Sequence, residues 1–423
     1  ANDNGFQGMV ELCHGCGGCR GEQSTTGGVM CPTYRASREE ITATRGRANA
    51  LRQAMSGDLE QGEAVSDEFV EEVMGLCIGC KGCAVDCPSE VDMAKLKAEV
   101  THEYHRRHGA TLRDRLFANV ATLSRWGSRL APLSNLLPKL PGARRALEAT
   151  IGIDADRPLP AFHATTFRDW FERRGGSRVR ATDADRNAVV YPDPYTNYSH
   201  PAAGKAAVRV LEAAGVHVRV PDGLDDTGRP AFSKGFLDRA RQTAIENVET
   251  LAPLVADGWE VVVLEPSDAV MIQSDYRDLL SDDATALLAN ETYGVCEYLD
   301  TFGLDESLSF DPDATARSLA YHGHCHQKAT RTDHHAVGVL RRAGYEVDPL
   351  DSGCCGMAGS FGYEAEHASM SDAIASILYD QVDDSNGERV VAAGASCRTQ
   401  LENRSRGADQ PPTPIELLAD ALE

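Results

Sequence analysis

The apolar and polar positions change rhythm twice along the chain. The first rhythm is helical. TYRASREEITATRGRANALRQAMSG, after Cys31-Pro32, reads as one helix ending at Gly57, since a proline in the first helical turn removes an N–H that had no partner there. SDEFVEEVMGLC opens on Ser66 as a cap with acidic residues in its first turn, both favourable at a helix N-terminus, and delivers Cys77. SEVDMAKLKAEVTHEYHRRHG is a third helix. Residues 1–110 are therefore expected to form an α-helical domain. Residues 111–182 follow as a connector, in which Leu, Phe, Val and Trp126 recur at roughly helical spacing and Pro132, Pro138 and Pro141 cut the run into short helices.

From Ala188 the rhythm becomes strand, loop, helix, strand, and it occurs twice. AVVYPDPYTNYSHPAAGKAAVRVLEAAGVHVRVPD is answered by SLAYHGHCHQKATRTDHHAVGVLRRAGYEVDPLD, GRPAFSKGFLDRARQTA by GMAGSFGYEAEHASMS, and VVVLEPSDAVMI by VVAAGASCRTQL. Strands alternating with helices imply parallel βαβ units. The expected fold is α+α/β, a helical front followed by two repeated α/β lobes with parallel strands, 183–300 and 301–423, whose loops meet at one interface.

The chemistry lies in thirteen cysteines, too many and in too large a chain for a disulfide framework. LCIGCKGCAVDCP places Cys77, Cys80, Cys83 and Cys87-Pro88 in the bacterial ferredoxin run that holds 4Fe-4S clusters. LCHGCGGCRGEQSTTGGVMCP repeats it as Cys13, Cys16, Cys19 and Cys31-Pro32, with eleven residues instead of three before the last cysteine. That insert is rich in Gly, Ser and Thr and reads as a loop that leaves the cluster and returns. Three cysteines spaced by two residues wrap one cubane, while the fourth, carried past a proline, reaches the other. The expected ligation is crossed: Cys13, Cys16, Cys19 and Cys87 on one cluster, and Cys77, Cys80, Cys83 and Cys31 on the second. Zinc knuckles, which present cysteines in pairs, fit this spacing poorly.

Four more thiols stand in the second lobe, Cys325 in HGHCHQK, Cys354 and Cys355 in SGCCGMAG, and Cys397 in GASCRTQ. The first lobe has Tyr195, Thr227, Gly228 and Asp268 in their places, so any soft-metal site belongs to the second lobe. The four thiols suit a third iron-sulfur cluster or a zinc ion; a metal-free redox pair of thiols and a vestigial core stand beside these readings. His322, His324 and His326 surround Cys325 as candidate outer-shell donors or proton carriers, or as a surface histidine cluster. Cys296, alone on a helical pattern, reads as a buried structural thiol.

Through MCPTYRASREEITATRGRANALR, LCIGCKGCAVDCPSEVDMAKLK, EYHRRHGATLRDRL, HGHCHQKA and CCGMAGSFGYEAEH, the chain resembles the C-terminal, iron-sulfur half of FAD-linked D-2-hydroxyacid dehydrogenases of the D-2-hydroxyglutarate and D-lactate type. More distantly it is similar to the iron-sulfur subunits of glycolate oxidase and anaerobic glycerol-3-phosphate dehydrogenase. The resemblance implies an electron conduit, in which a flavin domain takes a hydride from a 2-hydroxy acid and clusters pass single electrons to a quinone or other carrier. Cys325, Cys354, Cys355 and Cys397 match the cysteine-rich CCG domain of that family, related to that of heterodisulfide reductases. Two departures stand out: the first lobe lacks the CCG thiols, and Cys397-Arg398-Thr399 replaces a C-x2-C. No G-x-G-x-x-G opens a helix after a strand, so FAD is expected on an upstream region or a partner subunit. The chain itself is expected to move electrons without oxidising substrate, and it holds no candidate general base or nucleophile. The alternatives are an iron-sulfur subunit of an anaerobic glycerol-3-phosphate dehydrogenase or of a heterodisulfide-reductase-like complex, and, outside catalysis, a zinc-binding scaffold.

Charge refines the setting. A formal net charge of -22 argues against nucleic acid as a partner, because phosphate binding needs a basic face. Against that background, nine Lys or Arg face only two acidic residues between His105 and Thr150. We read this segment as a helical layer packed on both domains, in preference to a docking face for a membrane surface or an acidic partner. No apolar run reaches the roughly eighteen residues a spanning helix needs, and no signal peptide is visible. The expected place is a reducing cytoplasm, peripheral to the inner face of the membrane if the basic segment docks there. The abrupt start at Ala1 is what a piece of a longer polypeptide would show. Only seven of the 42 basic residues are lysine and the acidic excess is heavy in Asp, which fits a salt-rich cytoplasm where salt screens a dense carboxylate surface; an arginine-using acidic proteome would leave the same composition. Unfolding followed from low to multimolar KCl separates the two: a halophilic chain gains stability with salt, and a flat response removes that reading.

Overall fold

The computed structural model describes residues 5–21, 30–56, 66, 69–404 and 410–423. Gly57, Asp67-Glu68 and residues 22–29 of the insert lie outside them.

The front is helical, but the segment after Cys31 is not the single helix expected. Helix Pro32–Ser37 stops where Arg38 adopts a left-handed conformation (φ 61°) and its N–H caps the Tyr34 carbonyl at 2.7 Å. A short 3-10 turn, Glu40–Thr42, then leads into helix Thr44–Ser56. Glycine is required at this corner, since a Cβ on Gly46 would lie 1.9 Å from the Glu40 carbonyl oxygen. The fold-back aims the Thr42 carbonyl inward, where it accepts from the Thr33 hydroxyl at 2.9 Å and from the Arg47 guanidinium. Ser66 does cap the next segment, its hydroxyl accepting from the Phe69 N–H at 3.2 Å. That segment is a π-helical turn, Phe69–Gly75, ending before Cys77. The third helix begins at Met93, four residues later than expected, because the Asp92 carboxylate accepts from the N–H groups of Ala94 and Lys95 and so acts as the cap. It runs to His108, with basic residues in its last turn facing the negative end of the dipole.

The connector forms short helices at Leu112–Ala118, Val120–Arg129, Leu133–Leu136 and Ala143–Ile151. Each α/β lobe has a fully parallel sheet. In the first, β1 (Arg186–Tyr191), β2 (Val216–Arg219), β3 (Trp259–Val263) and β4 (Thr292–Gly294) take the order β2-β1-β3-β4. In the second, β5 (Ser318–His322), β6 (Glu346–Pro349) and β7 (Arg389–Ala392) take the order β6-β5-β7. The repeat therefore holds in topology, with β4 an addition of the first lobe. The lobes share one core: Val190 and Val262 of the first join Leu319, Tyr321 and Val391 of the second, and Leu417 and Leu418 of the final helix, Pro414–Ala421, complete it.

The front is clamped to both lobes by buried polar contacts. The Lys81 ammonium pairs with the Asp275 carboxylate, which also takes the Arg229 guanidinium at 2.7 Å. Asp275 is fully buried, Lys81 6% and Arg229 11% exposed at their side chains. Lys95 pairs with Asp278 at 2.7 Å beside them. From the second lobe, His326 Nε2–H reaches the Gly79 carbonyl at 3.0 Å. A second joint unites connector and lobes, with Lys234 Nζ 2.6 Å from Glu364 and 2.9 Å from Asp114.

Burial alone would raise the Asp275 carboxyl, yet Lys81 and Arg229 outweigh it and hold the group below the usual carboxylate range. Its contribution is thus complete above the unfolded value of about 4 and is lost as pH falls through the lower folded value. Asp275→Ala leaves two buried cations unpaired and is expected to cost about 3–5 kcal/mol. Chemical denaturation at neutral pH measures the loss, and limited proteolysis should then cut the front from the lobes; wild-type stability of the variant would show that the clamp is energetically idle.

Candidate metal centres

Both front cysteine runs fold on one backbone template. Gly15 and Gly79 occupy matching places with φ of 72° and 65°, as do Gly17 and Lys81 with φ of 79° and 59°. Left-handed residues interleaved in this way curl the chain so that N–H groups line its concave side. Lys81 is the one non-glycine among the four, and a left-handed side-chain residue costs roughly 1–2 kcal/mol. Its ion pair with Asp275 offsets that strain.

Cys31, Cys77, Cys80 and Cys83 line a single cavity together with Arg47, Lys81 and Met93. Cys83 Sγ accepts from the Met93 N–H at 3.3 Å. Arg47, 1% exposed, donates through Nε to the Val73 carbonyl at 2.8 Å and stands with Nη1 3.8 Å from Cys31 Sγ. Burial pushes the Cys31 thiol up, but Arg47, the Thr33 hydroxyl and the Tyr34 N–H together bring it below its ordinary value. Cys80 and Cys83 are instead driven well up, first by burial and then by neighbouring thiols and, for Cys83, Asp92. Lys97 adds a buried cation, its ammonium bonded to the Gly75 and Cys77 carbonyls.

Cys13 and Cys19 lie within electrostatic reach of each other and of Cys31. Cys19 Sγ accepts from the Arg45 N–H at 3.4 Å, and burial pushes its thiol up to about 11. Cys16 is exposed. Cys87 follows the turn Gly82–Asp86 half-buried and packs, like Cys13, against the core containing Cys19 and Cys31. Crowded buried thiols become favourable as thiolates only beside positive charge, which an iron-sulfur cluster carries in its iron. Cys31, Cys77, Cys80 and Cys83 fit such a group in type and placement, and Cys13, Cys16, Cys19 and Cys87 fit one in type.

The four thiols of the second lobe meet at the ends of its strands. Cys325 begins helix Cys325–Thr330 after β5, Cys354 and Cys355 form the turn after β6, and Cys397 lies in helix Ala395–Arg404 after β7. All are buried in one cluster, where Cys354 interacts with Cys325 and Cys355, and Cys355 with Cys397. Donation from Cys354 and Cys397 holds the Cys355 thiol far below its ordinary value, and the donors are raised in turn. His322 belongs to the set. Its ligand nitrogen and the sulfurs of Cys355 and Cys397 lie within 4.8 Å of one another, its Nδ1 pairs with the Ser352 hydroxyl at 2.6 Å, and its buried Nε2 has no partner. Burial keeps this imidazole neutral, as a metal ligand must be. A buried orphan nitrogen aimed among thiols fits a thiolate-bound metal group. Cys80 of the front interacts electrostatically with Cys325 and packs against the same cluster, so the two sites adjoin.

In the first lobe one of the matching places, Asp268, carries an acid, and two further acids are buried beside it. The Thr227 hydroxyl donates to Asp268, and Asp193, Glu265 and Asp268 are buried together, with burial and mutual repulsion raising Asp268 well up and Glu265 to about 7. Glu265 accepts from the Ala395 N–H at 2.8 Å, two residues from Cys397. Gly394 permits this approach, since a Cβ there would meet His324 Cδ2 at 2.4 Å. Between the lobes lies a cavity of about 420 Å³ bordered by Tyr195, His200, Glu265, Ala395, Arg398 and Pro160. Matching the lobes by sequence sets Asp268 opposite Cys397 only as a missing thiol and overlooks Asp193 and Glu265; the one signal for them is E-P-S-D aligned with G-A-S-C. Cys296 is buried, with its thiol pushed up to about 12 by burial, as expected of a structural residue.

Comparison with known proteins agrees with this anatomy. A 4Fe-4S dicluster domain model matches residues 9–91, and a Cysteine-rich domain model matches residues 319–402. One subunit of the anaerobic glycerol-3-phosphate dehydrogenase of Escherichia coli K12 is 28% identical, over 79% of this chain and 83% of its own length. D-2-hydroxyglutarate dehydrogenase of the same organism is 25% identical over 94% of this chain, which spans 42% of that protein. The glycolate oxidase iron-sulfur subunit of E. coli K12 is 24% identical over 98% of this chain and 95% of its own. The chain is thus an iron-sulfur electron-transfer protein, similar to that glycerol-3-phosphate dehydrogenase component, to D-2-hydroxyglutarate dehydrogenase and to the glycolate oxidase iron-sulfur subunit.

Proposed function

We propose that this chain is the electron-carrying part of a flavin-linked dehydrogenase of 2-hydroxy acids, receiving electrons from FAD on an upstream region or partner subunit and delivering them to a quinone or other carrier. The carrying observation is continuity: Cys19 and Cys31 share one core cluster, and Cys80 packs against the cluster of Cys325, so three thiol sites adjoin in series. Cys13, Cys16, Cys19 and Cys87 would hold one 4Fe-4S cluster, and Cys31, Cys77, Cys80 and Cys83 the other. Cys325, Cys354, Cys355 and Cys397, with His322, would hold a third metal centre, for which an iron-sulfur group suits a redox line better than zinc. When bound, these groups supply one-electron transfer. The protein's part is to exclude water, fix spacing and set potential through N–H donors to sulfur at Cys19 and Cys83 and through the buried cation Arg47. The half-polar cavity between the lobes, beside Cys397, is the natural place for the acceptor. A reducing cytoplasm suits the free thiols; among the described residues no helix is long and apolar enough to cross a membrane.

A second reading, a component of a glycerol-3-phosphate dehydrogenase, is favoured by how much of that enzyme's matching polypeptide this chain covers. Pairing the chain with its flavoprotein and assaying dye reduction by D-2-hydroxy acids and by glycerol 3-phosphate decides between the two, and no activity with either defeats both.

Anaerobically purified protein should contain about twelve irons per chain with a third cluster and about eight without it. Zinc in place of iron at the front would remove the proposal. Cys31→Ser should perturb the electron paramagnetic resonance signal of the cluster held by Cys77, Cys80 and Cys83 and spare the other; selective loss of the other signal overturns the crossed ligation. Removing a buried cation beside a reducible cluster disfavours its reduced state, so Arg47→Gln is expected to lower one reduction potential by tens of millivolts, with Arg47→Lys nearer the wild type. An unmoved potential in a redox titration would assign Arg47 to folding alone.

A further inference from the structure

Helix Val120–Arg129 is amphipathic with its faces reversed. It buries Ala121, Ser124 and Ser128, the last donating its hydroxyl to the His163 carbonyl, and turns Leu123 and Trp126 outward at 40% and 56% exposure. A surface helix ordinarily does the opposite. The next turns continue the outward face, with Leu130, Leu133, Leu136, Leu137 and Leu140 all about half exposed. Together with Leu112 these residues account for eight of the eleven exposed large apolar side chains among the described residues. That concentration in one short segment is far from the scattered apolar exposure of an ordinary surface.

Charge identifies the occupant. Arg129, Lys139 and Arg145 are exposed beside these leucines and take part in no ion pair among the described residues, and Arg129 lies over the Trp126 ring at 5.4 Å. Other basic residues of the segment are engaged: Arg125 with Asp225, Arg113 with Glu366, and Arg144 with backbone carbonyls. Those engagements anchor the segment to the lobes and leave an apolar face rimmed by free cations on a chain that is otherwise strongly acidic. Leucine and tryptophan flanked by arginine and lysine are the side chains that partition into the headgroup and acyl boundary of an anionic bilayer.

We propose that residues 112–147 form a docking face that seats this protein on the surface of an anionic phospholipid bilayer, with Trp126 and Leu130–Leu140 entering the interface. The expectation of a purely connecting layer is thus met on one face only. The same segment continues to Pro158–Ala161, which border the cavity between the lobes. The proposal stands on exposure and charge and does not depend on which substrate or acceptor the protein serves.

The iron-loaded protein should co-sediment with phosphatidylglycerol vesicles and much less with phosphatidylcholine vesicles. Acyl-chain-brominated lipid should quench part of its tryptophan fluorescence, and Trp126→Phe should abolish that quenching, since Trp170 and Trp259 are packed against core clusters. The double variant Leu133→Ser, Leu136→Ser should lower vesicle partitioning about tenfold or more, with unchanged iron content reporting that it remains folded. Absence of binding overturns the proposal. So does binding without quenching and indifferent to the leucines, which would be charge attraction alone. If the same variants leave vesicle binding unchanged and instead dissociate an oligomer or detach a flavoprotein partner, the face is a protein interface and the proposal fails.

Discussion

One buried carboxylate holds the electron-carrying front in register with the rest of the chain. Asp275, with no exposed surface, accepts Lys81 from the front and Arg229 from its own lobe. A lone carboxylate at that depth would keep its proton, and an ammonium there would lose one; paired, both remain charged and neither element can move away without exposing the other. Lys81 sits between Cys80 and Cys83, in a left-handed conformation that its three counterparts achieve with glycine. The ion pair therefore fixes the cysteine loop itself, and through it the neighbourhood of Cys80 and Cys325. Spacing between the redox sites is thus set in part by electrostatics and not by the thiols alone.

A second consequence concerns how charge is distributed around the thiols. Arg47, Lys97 and Lys81 are all buried or nearly so about the cavity of Cys31, Cys77, Cys80 and Cys83. In a chain of net charge -22 this draws cations inward to where thiolates are expected. Cys19 has a backbone donor and more distant cations, and the run it belongs to is more exposed. Two sites of the same ligand type are thereby set in different surroundings, the condition under which identical clusters acquire different potentials.

Much of this was legible in the residues. Cysteine spacing is a local property, and parallel βαβ units announce themselves through apolar runs separated by helices, so the candidate ligands and the two sheets could be read without coordinates. The corner at Arg38 to Gly46 could not, because a helix-favouring composition hides a reversal that is stabilised by packing of Gly46 on Glu40 and by bonds to the Thr42 carbonyl. Nor could the pairing of Lys81 with Asp275, separated by 194 positions. His322 was visible only as one of three histidines near Cys325; what singles it out is an unpartnered nitrogen among sulfurs, a property of the fold.

The two lobes meet one electrostatic problem with different side chains. In each, the ends of parallel strands converge on a buried point facing the shared interface, where polar groups are costly. The second lobe fills that point with Cys325, Cys354, Cys355, Cys397 and His322, groups of the kind that take a metal. The first fills it with Asp193, Glu265 and Asp268, whose burial and mutual repulsion favour keeping protons at the deepest positions. Glu265 reaches across to the Ala395 N–H, so the acid-bearing lobe touches the thiol-holding lobe directly. The thiol-free half of the repeated fold is thus more than an empty copy, because the position still has to be occupied by something that tolerates burial beside Cys397, and carboxyls whose proton affinity burial raises satisfy that constraint.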